Sequence, residues 1–374
     1  MSEDTSPPQA APHRPALTRR SALLGLAAVG GVGAASVGGF AYAGGWLPRG
    51  ERLTPARFAD RFEQVYGKHT GFRRNHAKGV SAAGYFTANG AGAEVSRATV
   101  FAPGRTPVTG RFSLSGGLPD APDAAPTVRG LGLLFHLPDG EQWRTAMINL
   151  PVFPDSTPQG FYARMLAAKP LPETGKPDPE KMAAFLARHP ETAKAMAIVK
   201  RHPPTSGFDD STYNALNAFR CTNDAGDTVP VRWSLKPLQP VRRGDAPPPP
   251  GRDHLFDALI AKVAQEPLRW RLLLTVGRSG DPTHDATRPW PDDRRTIDAG
   301  TLTIDSVHTE AVGNARDVNF DPLILPDGIA ASDDPLLSAR SAVYSRSFTR
   351  RAGEPKTPSP VDVAKARRTQ EERR

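Results

Sequence analysis

The segment RRNHAKGVSAAGYF, residues 73 to 86, sets His76 behind two arginines at the start of a strand-like run. An imidazole titrates near neutrality, so a histidine held in a pocket can take a proton from a substrate atom and hand it back. A lone histidine at a strand start is equally compatible with a core residue satisfied by one hydrogen bond, so other residues must decide. Near the C-terminus, Arg340-Ser-Ala-Val-Tyr344 puts a guanidinium and a phenol four residues apart, on one face of a helix. A phenol with its ordinary pKa of about 10 ligates iron only as phenolate, and a neighbouring cation or the ferric ion itself supplies the help it needs. By itself that pair reads as a surface contact. The single cysteine, Cys221, excludes an intramolecular disulfide framework and a thiolate-built metal site. Its strand-like setting, NAFRCTND, points to a buried structural thiol.

The elements that must position these groups are short and numerous. LTPARFADRFEQVYG, from residue 53, predicts a helix capped by Thr54 with Pro55 in its first turn. Strand-like runs follow: SAAGYFTA, EVSRATVF, VTGRFSLSG, VRGLGLLFHLP and EQWRTAMINLPVF. Turn signals such as Asn89-Gly90 and Pro138-Asp139-Gly140 separate them, which predicts a meandering antiparallel sheet or barrel. Residues 177–203 predict a helical insert broken at His189-Pro190. Strands resume with STYNALNAFRCTN and VPVRWSLKPL, and the proline run after Arg243 predicts an extended surface loop. HLFDALIAKVAQ reads as a helix, the following residues from Arg269 as a strand, GTLTIDSVHTE as another strand, and DPLLSARSAVYSRSFTRRAG as the helix that carries Arg340 and Tyr344.

The chain of 374 residues is 38% hydrophobic and 23% charged, sufficient for a packed core. With 39 prolines and 34 glycines, strands, turns and ordered loops are favoured over a helical bundle. The net charge of +9 comes from Lys and Arg scattered along the chain with no basic stripe, so no nucleic-acid partner is expected. Residues 51–353 read as one domain and 354–374 as a polar, frayed tail.

Residues 1–43 read as a targeting segment. Arg19-Arg20 precede a Gly/Ala-rich apolar stretch, and Ala41-Tyr42-Ala43 offers a small-x-small cleavage site. The pattern resembles a bacterial twin-arginine export signal, which implies delivery of a folded protein to the periplasm or cell exterior. Retention as a membrane anchor is the competing reading, since the stretch is just long enough to span.

Four blocks in order resemble the haem catalase superfamily, in particular its short bacterial catalase-related peroxidases. They are Arg73 to Gly79 with Gly84-Tyr85-Phe86; Gly110-Arg111-Phe112-Ser113; Val128-Arg129-Gly130 with Asn149-Leu150-Pro151-Val152-Phe153; and Phe320-Asp321-Pro322 through Asp334 to Arg340-x-x-x-Tyr344. The resemblance implies an α+β fold: a catalase-like antiparallel β-barrel of about eight strands with flanking and inserted helices. It further implies that the C-terminal helical domain of large catalases is lacking.

It also implies haem b as cofactor. By that resemblance His76 is the distal acid/base, Asn149 the amide that hydrogen-bonds peroxide, and Ser113 the hydroxyl that orients the imidazole. Tyr344 is the iron ligand and Arg340 its partner, with Asp334 supporting Arg340. Arg73, Arg111 and Arg351 pair with the haem propionates, and Phe161 lies over or near the macrocycle. Asn75 departs from the small apolar residue of large catalases and makes the pocket more polar. Ser234 stands about where large catalases place a histidine tied to the tyrosine side. Arg74, Lys78 and Lys236 receive no role, and neither do the remaining histidines.

The activity implied is a haem peroxidase that reduces hydrogen peroxide or organic hydroperoxides with electrons from organic donors, with weak or no catalase activity, as a monomer or homodimer. The alternative is a non-catalytic haem-binding or haem-trafficking barrel, which would need Tyr344 and the arginines but not His76, Asn149 and Ser113 together.

Overall fold

The computed structural model describes residues 53–124, 127–242 and 251–372. The targeting segment and most of the proline-rich loop lie outside them. Ten strands form one sheet: β1 (Gly79–Ala88), β2 (Gly104–Leu114), β3 (Arg129–His136), β4 (Gln142–Ile148), β5 (Tyr213–Asn214), β6 (Phe219–Thr222), β7 (Thr228–Pro237), β8 (Leu268–Val276), β9 (Thr296–His308) and β10 (Ile329–Ala331). The order β7-β5-β4-β3-β2-β1-β9-β8 closes through a β7–β8 pairing, giving an eight-stranded antiparallel barrel, and β6 and β10 extend it beside β7. Among the described residues, seven helices surround the barrel: α1 (Pro55–Tyr66), α2 (Pro158–Ala167), α3 (Pro179–Arg188), α4 (Pro190–Lys200), α5 (His254–Gln265), α6 (Pro335–Ala352) and α7 (Val363–Glu371).

Strand alternation decides which residues reach the site. In β4 the burial alternates strictly, with Trp143, Thr145 and Met147 inward. In β8 Leu268, Trp270, Leu272 and Leu274 point in, while Arg269 and Arg271 point out. The interior is filled by rings: Phe135 stacks on Trp143 at 4.7 Å, Trp143 meets Trp233 edge-on at 5.1 Å, and Phe112 packs against Trp270 at 5.9 Å. Each such pair contributes about 0.5–1.5 kcal/mol beyond its buried area. A barrel this full leaves no room inside for a ligand. Because Phe112, Leu131 and Met147 belong to that core, their neighbours Arg111, Ser113, Gly130, Gly132, Ala146 and Ile148 face the outer side, where the helices pack. The barrel bends at a register shift between Ala83 and Gly84, where a Cβ on Gly84 would lie 2.0 Å from the Thr303 carbonyl oxygen.

Thr54 caps α1 through its hydroxyl, and the helical insert breaks at His189-Pro190 into α3 and α4. Three expectations need correction. Residues 94–101 are not a strand: Gly90 turns left-handed, and two 3₁₀ turns, Ala91–Glu94 and Thr99–Phe101, follow. The single strand expected over 211–223 is two, because Leu216 adopts φ 67° and takes the chain off the ladder. The polar tail is partly ordered. Asp362 caps α7 by accepting from Lys365 N at 3.0 Å, and Val361 and Val363 join the main core. Val361 just before the helix, Val363 at its start and the part-buried Ala366 dock a helix that is otherwise mostly polar. No helix among the described residues is long and apolar enough to cross a membrane.

Candidate active site

A cavity of about 360 Å³ lies between the outer face of β2–β4 and helices α1, α2 and α6. His76, Ser113, Arg73, Arg111, Phe161, Arg340, Tyr344 and Arg351 all line it, although they come from four separate segments of the chain. Asn149 does not line it, whereas its neighbours Ile148 and Leu150 do. Its Oδ1 accepts from Arg129 N at 2.8 Å, and its Nδ2 has no hydrogen-bond partner among the described residues.

His76 is held by backbone and side chain together. Its φ is 55°, a left-handed value that costs a non-glycine residue energy and is common at functional positions. Arg111 Nη1 donates to the His76 carbonyl at 2.8 Å and Nη2 to the Ala77 carbonyl at 3.2 Å, fixing that turn. His76 Nδ1 lies 3.1 Å from Ser113 Oγ, which leaves Nε2 as the uncommitted ring atom. Gly130 makes this possible: a Cβ there would sit 2.9 Å from Ser113 Oγ and 3.0 Å from the imidazole. Burial, then the charges of Arg111, Arg73 and Arg340, push the imidazole down to about 3, so it is neutral at pH 7. Beside it, Asn75 is less free than its polarity suggests, since its Oδ1 accepts from Gly116 N at 2.9 Å.

At another corner, Arg73, Arg111 and Arg351 gather. Arg111 forms a two-point ion pair with Glu310, Nε to Oε1 and Nη2 to Oε2, each at 2.8 Å. Burial raises Glu310, yet the Arg111 charge and hydrogen bonds hold its carboxyl below the ordinary value. Arg73 has no carboxylate; its Nη2 donates to the carbonyls of Ala315 at 2.9 Å and Val318 at 2.8 Å. Arg351 likewise donates to the carbonyls of Arg316 and Val318. Burial and the neighbouring guanidiniums push Arg73 well below its ordinary range and Arg351 down to about 10. Glu310 pairs with Arg111 alone; among the described residues Arg73 and Arg351 form no ion pair, although the Asp317 charge acts on Arg351, so two buried positive charges lack a bonded counter-ion, at a cost of several kcal/mol per ion if nothing pairs with them.

Tyr344 and Arg340 share a face of α6, with the Arg340 guanidinium 5.9 Å from the phenol ring centre. Arg340 Nη2 donates to the Ala146 carbonyl at 2.8 Å and Nη1 to Asn217 Oδ1. Asn217 in turn donates to Asp334 Oδ2 at 2.7 Å, while Asp334 Oδ1 caps α6 through Leu336 N at 2.9 Å. Asp334 therefore supports Arg340 only through Asn217. Burial raises the Asp334 carboxyl to about 6. Ser234 pairs with Asn214 and Leu273 in the barrel wall and takes no part in this chain of bonds.

Phe161, on α2, stands in an aromatic wall, stacked on Phe58 at 6.2 Å and tilted against Phe153 at 5.7 Å. Arg74 is buried and tied to Glu63, with Nε to Oε1 at 2.7 Å, and to Glu354, with Nη1 to Oε2 at 2.9 Å, joining α1 to the segment after α6. Lys78 is buried too, bonded to Asp123 at 2.7 Å and Asp253 at 2.5 Å. Both are structural ties. Cys221 is buried in β6, and burial pushes its thiol up to about 12. No group of His, Cys, Asp and Glu able to hold a metal ion occurs among the described residues, so a metal here needs another kind of ligand or a cofactor.

The residues present suit haem. Two uncompensated guanidinium charges match a group with two carboxylates, the apolar walls match a flat hydrocarbon body, and Tyr344 beside Arg340 is a donor suited to ferric iron.

Comparison with known proteins agrees. Residues 56–374 match the family model described as catalase. The chain is 39% identical over 303 residues to the catalase-related peroxidase of Synechococcus elongatus, covering 80% of this chain and 89% of that protein. It is 32% identical over 305 residues to the catalase-related peroxidase of Mycolicibacterium paratuberculosis, covering 80% and 96%. A solved bacterial catalase superposes with a TM-score of 0.66 at 21% identity, covering 84% of this chain and 64% of that one, a likeness of fold.

Proposed function

Because the chain belongs to the catalase family and is a peroxidase-type enzyme acting on peroxide, we propose that it uses haem b to reduce hydrogen peroxide or organic hydroperoxides at the expense of organic donors, with catalase turnover subordinate. The observation that carries this reading is a single cavity that joins a fixed neutral imidazole, a tyrosine–arginine pair and two uncompensated guanidinium charges.

Haem, when bound, supplies a redox-active iron at which the peroxide O–O bond is broken. Tyr344 would hold the iron through its phenol oxygen, with the Arg340 guanidinium on the same helical face 5.9 Å from its ring centre. Arg73 and Arg351 would take the propionates, with Arg111 held beside them by Glu310, and Phe161 would pack near the macrocycle. His76 moves the proton. With Nδ1–H donating to Ser113 Oγ, Nε2 bears the lone pair that accepts the peroxide proton and then returns it to the leaving oxygen. An imidazole at about 3 is a weak base, but carboxylates pairing with the arginines would cancel part of that depression and bring it nearer the working range. Asn149 keeps Oδ1 on Arg129 N, and its free Nδ2 would donate to peroxide only after the side chain turns into the cavity that its neighbours Ile148 and Leu150 line.

Donor oxidation over catalase turnover is supported by the polar Asn75 beside His76 and by the aromatic side of the cavity formed by α1 and α2. The twin-arginine pattern of residues 1–43 supports export to the periplasm or cell exterior. The test is the purified holoprotein. A pyridine haemochrome assay should identify haem b. Peroxide should perturb the absorption spectrum, and a phenolic donor should restore it. Oxygen evolution at rates typical of large catalases, or a spectrum indifferent to peroxide, would refute the reading.

A further inference from the structure

Beyond Phe161, whose ring is shared with the haem, the aromatic side of the cavity holds polar groups to which the chemistry above gives no role. The rings of Phe58 and Phe161 stack at 6.2 Å and 19°, and Phe62 and Phe153 tilt around Phe161 at 6.1 and 5.7 Å. This aromatic chamber lies on the His76 side: Tyr66, in the same wall, packs so closely on Gly117 that a Cβ there would fall 2.8 Å from Tyr66 Cβ. The adjoining Gly116 is hydrogen-bonded to Asn75, the neighbour of His76. Two polar groups of the chamber have donors to spare. Tyr66 lines the cavity, and its hydroxyl has no hydrogen-bond partner among the described residues. Arg164 lies 5.5 Å from the Phe161 ring centre and gives only Nε to buried Asp155, at 2.9 Å from both oxygens. Its Nη1 and Nη2 have no partner among the described residues. Asp155 also receives Thr192 Oγ1 at 3.5 Å, so it is served without those terminal nitrogens. Arg164 and Tyr66 are close enough for the guanidinium charge to act on the phenol, but burial outweighs that charge and keeps the phenol protonated, able to donate.

We propose that this chamber is a subsite for organic hydroperoxides with an apolar body and a carboxylate at the far end. The carboxylate is taken by Arg164 and Tyr66, and the hydroperoxide end lies at His76. The free edge of a guanidinium is a fork that matches a carboxylate in two hydrogen bonds, and the phenol adds a third. The aromatic wall removes the body of the substrate from water. The proposal rests on the peroxidase reading and names the substrate class of that site. The reaction is reduction of ROOH to ROH and water: the O–O bond breaks, and the two electrons and two protons come from two molecules of a phenolic donor, each oxidised to a phenoxyl radical.

The test compares 4-(2-hydroperoxypropan-2-yl)benzoic acid with its methyl ester and with hydrogen peroxide, using holoenzyme and a phenolic reporter. The expected result is a kcat/KM for the acid about tenfold above that for the ester, the size of one charge-assisted hydrogen bond. That ratio should fall towards one in Tyr66→Phe and in the double variant Asp155→Asn/Arg164→Gln, which leaves no lone buried charge. Calorimetric binding of the unreactive alcohol, 4-(2-hydroxypropan-2-yl)benzoate, should weaken in parallel. Equal turnover of acid and ester with hydrogen peroxide activity intact, or a ratio unmoved in both variants, overturns the subsite alone. Absence of turnover with every peroxide overturns the peroxidase reading and the subsite with it.

Discussion

Asn217 donates to Asp334 at 2.7 Å while its own amide oxygen receives the Arg340 guanidinium. One neutral side chain thus converts a carboxylate at the start of α6 into a positional constraint on a guanidinium inside the cavity. An amide has a fixed direction, oxygen to arginine and nitrogen to aspartate, so it cannot pass a proton between them. In Asn217→Ala, Arg340 and Asp334 each lose a partner in a buried place, which costs about 1–3 kcal/mol. The melting temperature should fall accordingly, and the haem spectrum should shift because Arg340 no longer holds its place beside Tyr344. An unchanged spectrum in a folded, haem-loaded variant would show that Arg340 is fixed by the Ala146 carbonyl alone.

The position of Asn217 also shows where sequence reasoning stops. His76, Ser113, Arg111 and Tyr344 stand in compact patterns, and strand alternation sends Arg111 and Ser113 to one face of β2. Asn217 follows a left-handed Leu216 between two strands too short to announce themselves, and its partners lie 117 and 123 residues away. Ser234, which the resemblance sets where large catalases place a histidine tied to the tyrosine side, belongs to the barrel wall and makes no such link. Glu310 was hidden for a similar reason: a glutamate at a strand end reads as solvated until Arg111 is seen beside it, 199 residues away. The α7 helix is hard to read from sequence because its apolar anchors are few and small, Val361, Val363 and the part-buried Ala366, and composition averages them out.

The His76–Ser113 contact should divide the proton-transfer effect into two sizes. His76→Gln removes the base and should slow the reaction with hydrogen peroxide by about 10²–10⁴-fold, the usual weight of general acid/base catalysis. Ser113→Ala keeps the imidazole and removes only its support at 3.1 Å, so the loss should be smaller. Gly130→Ala should behave like Ser113→Ala or worse, since its Cβ would press on both partners at 2.9 and 3.0 Å. Stopped-flow rates at one pH decide the order. Equal losses in Ser113→Ala and His76→Gln would mean that the hydroxyl itself handles the proton.

Two buried groups should give the haem-free protein opposing pH dependences. His76 is held near 3 against an unfolded value of about 6.5, so between those values the unfolded chain binds the extra proton and stability falls as pH falls, by up to about 1.4 kcal/mol per pH unit. Asp334 is raised to about 6 from the ordinary value of 3.8, so in that window the folded chain holds the extra proton and stability falls as pH rises. Between pH 4 and 6 the two slopes oppose each other. Urea titrations across that range should show His76→Gln losing stability more steeply with rising pH than the parent, and Asp334→Asn losing it more steeply with falling pH. Parallel curves for all three would show that neither group titrates as its burial requires.

Glu310 is the lone buried carboxylate against the three guanidiniums of Arg73, Arg111 and Arg351. In Glu310→Gln all three charges face one another without a counter-ion, and breaking a buried pair from one side costs about 3–5 kcal/mol. That penalty belongs to the haem-free protein. If two propionates occupy the same corner, they supply the missing negative charge, and the variant should recover much of its deficit on loading. Melting temperatures of parent and variant, with and without haem, therefore separate the electrostatic role of the cluster from its packing role. A deficit equal in both states would show that the arginines meet no anion there, and would remove the charge argument for the propionate corner.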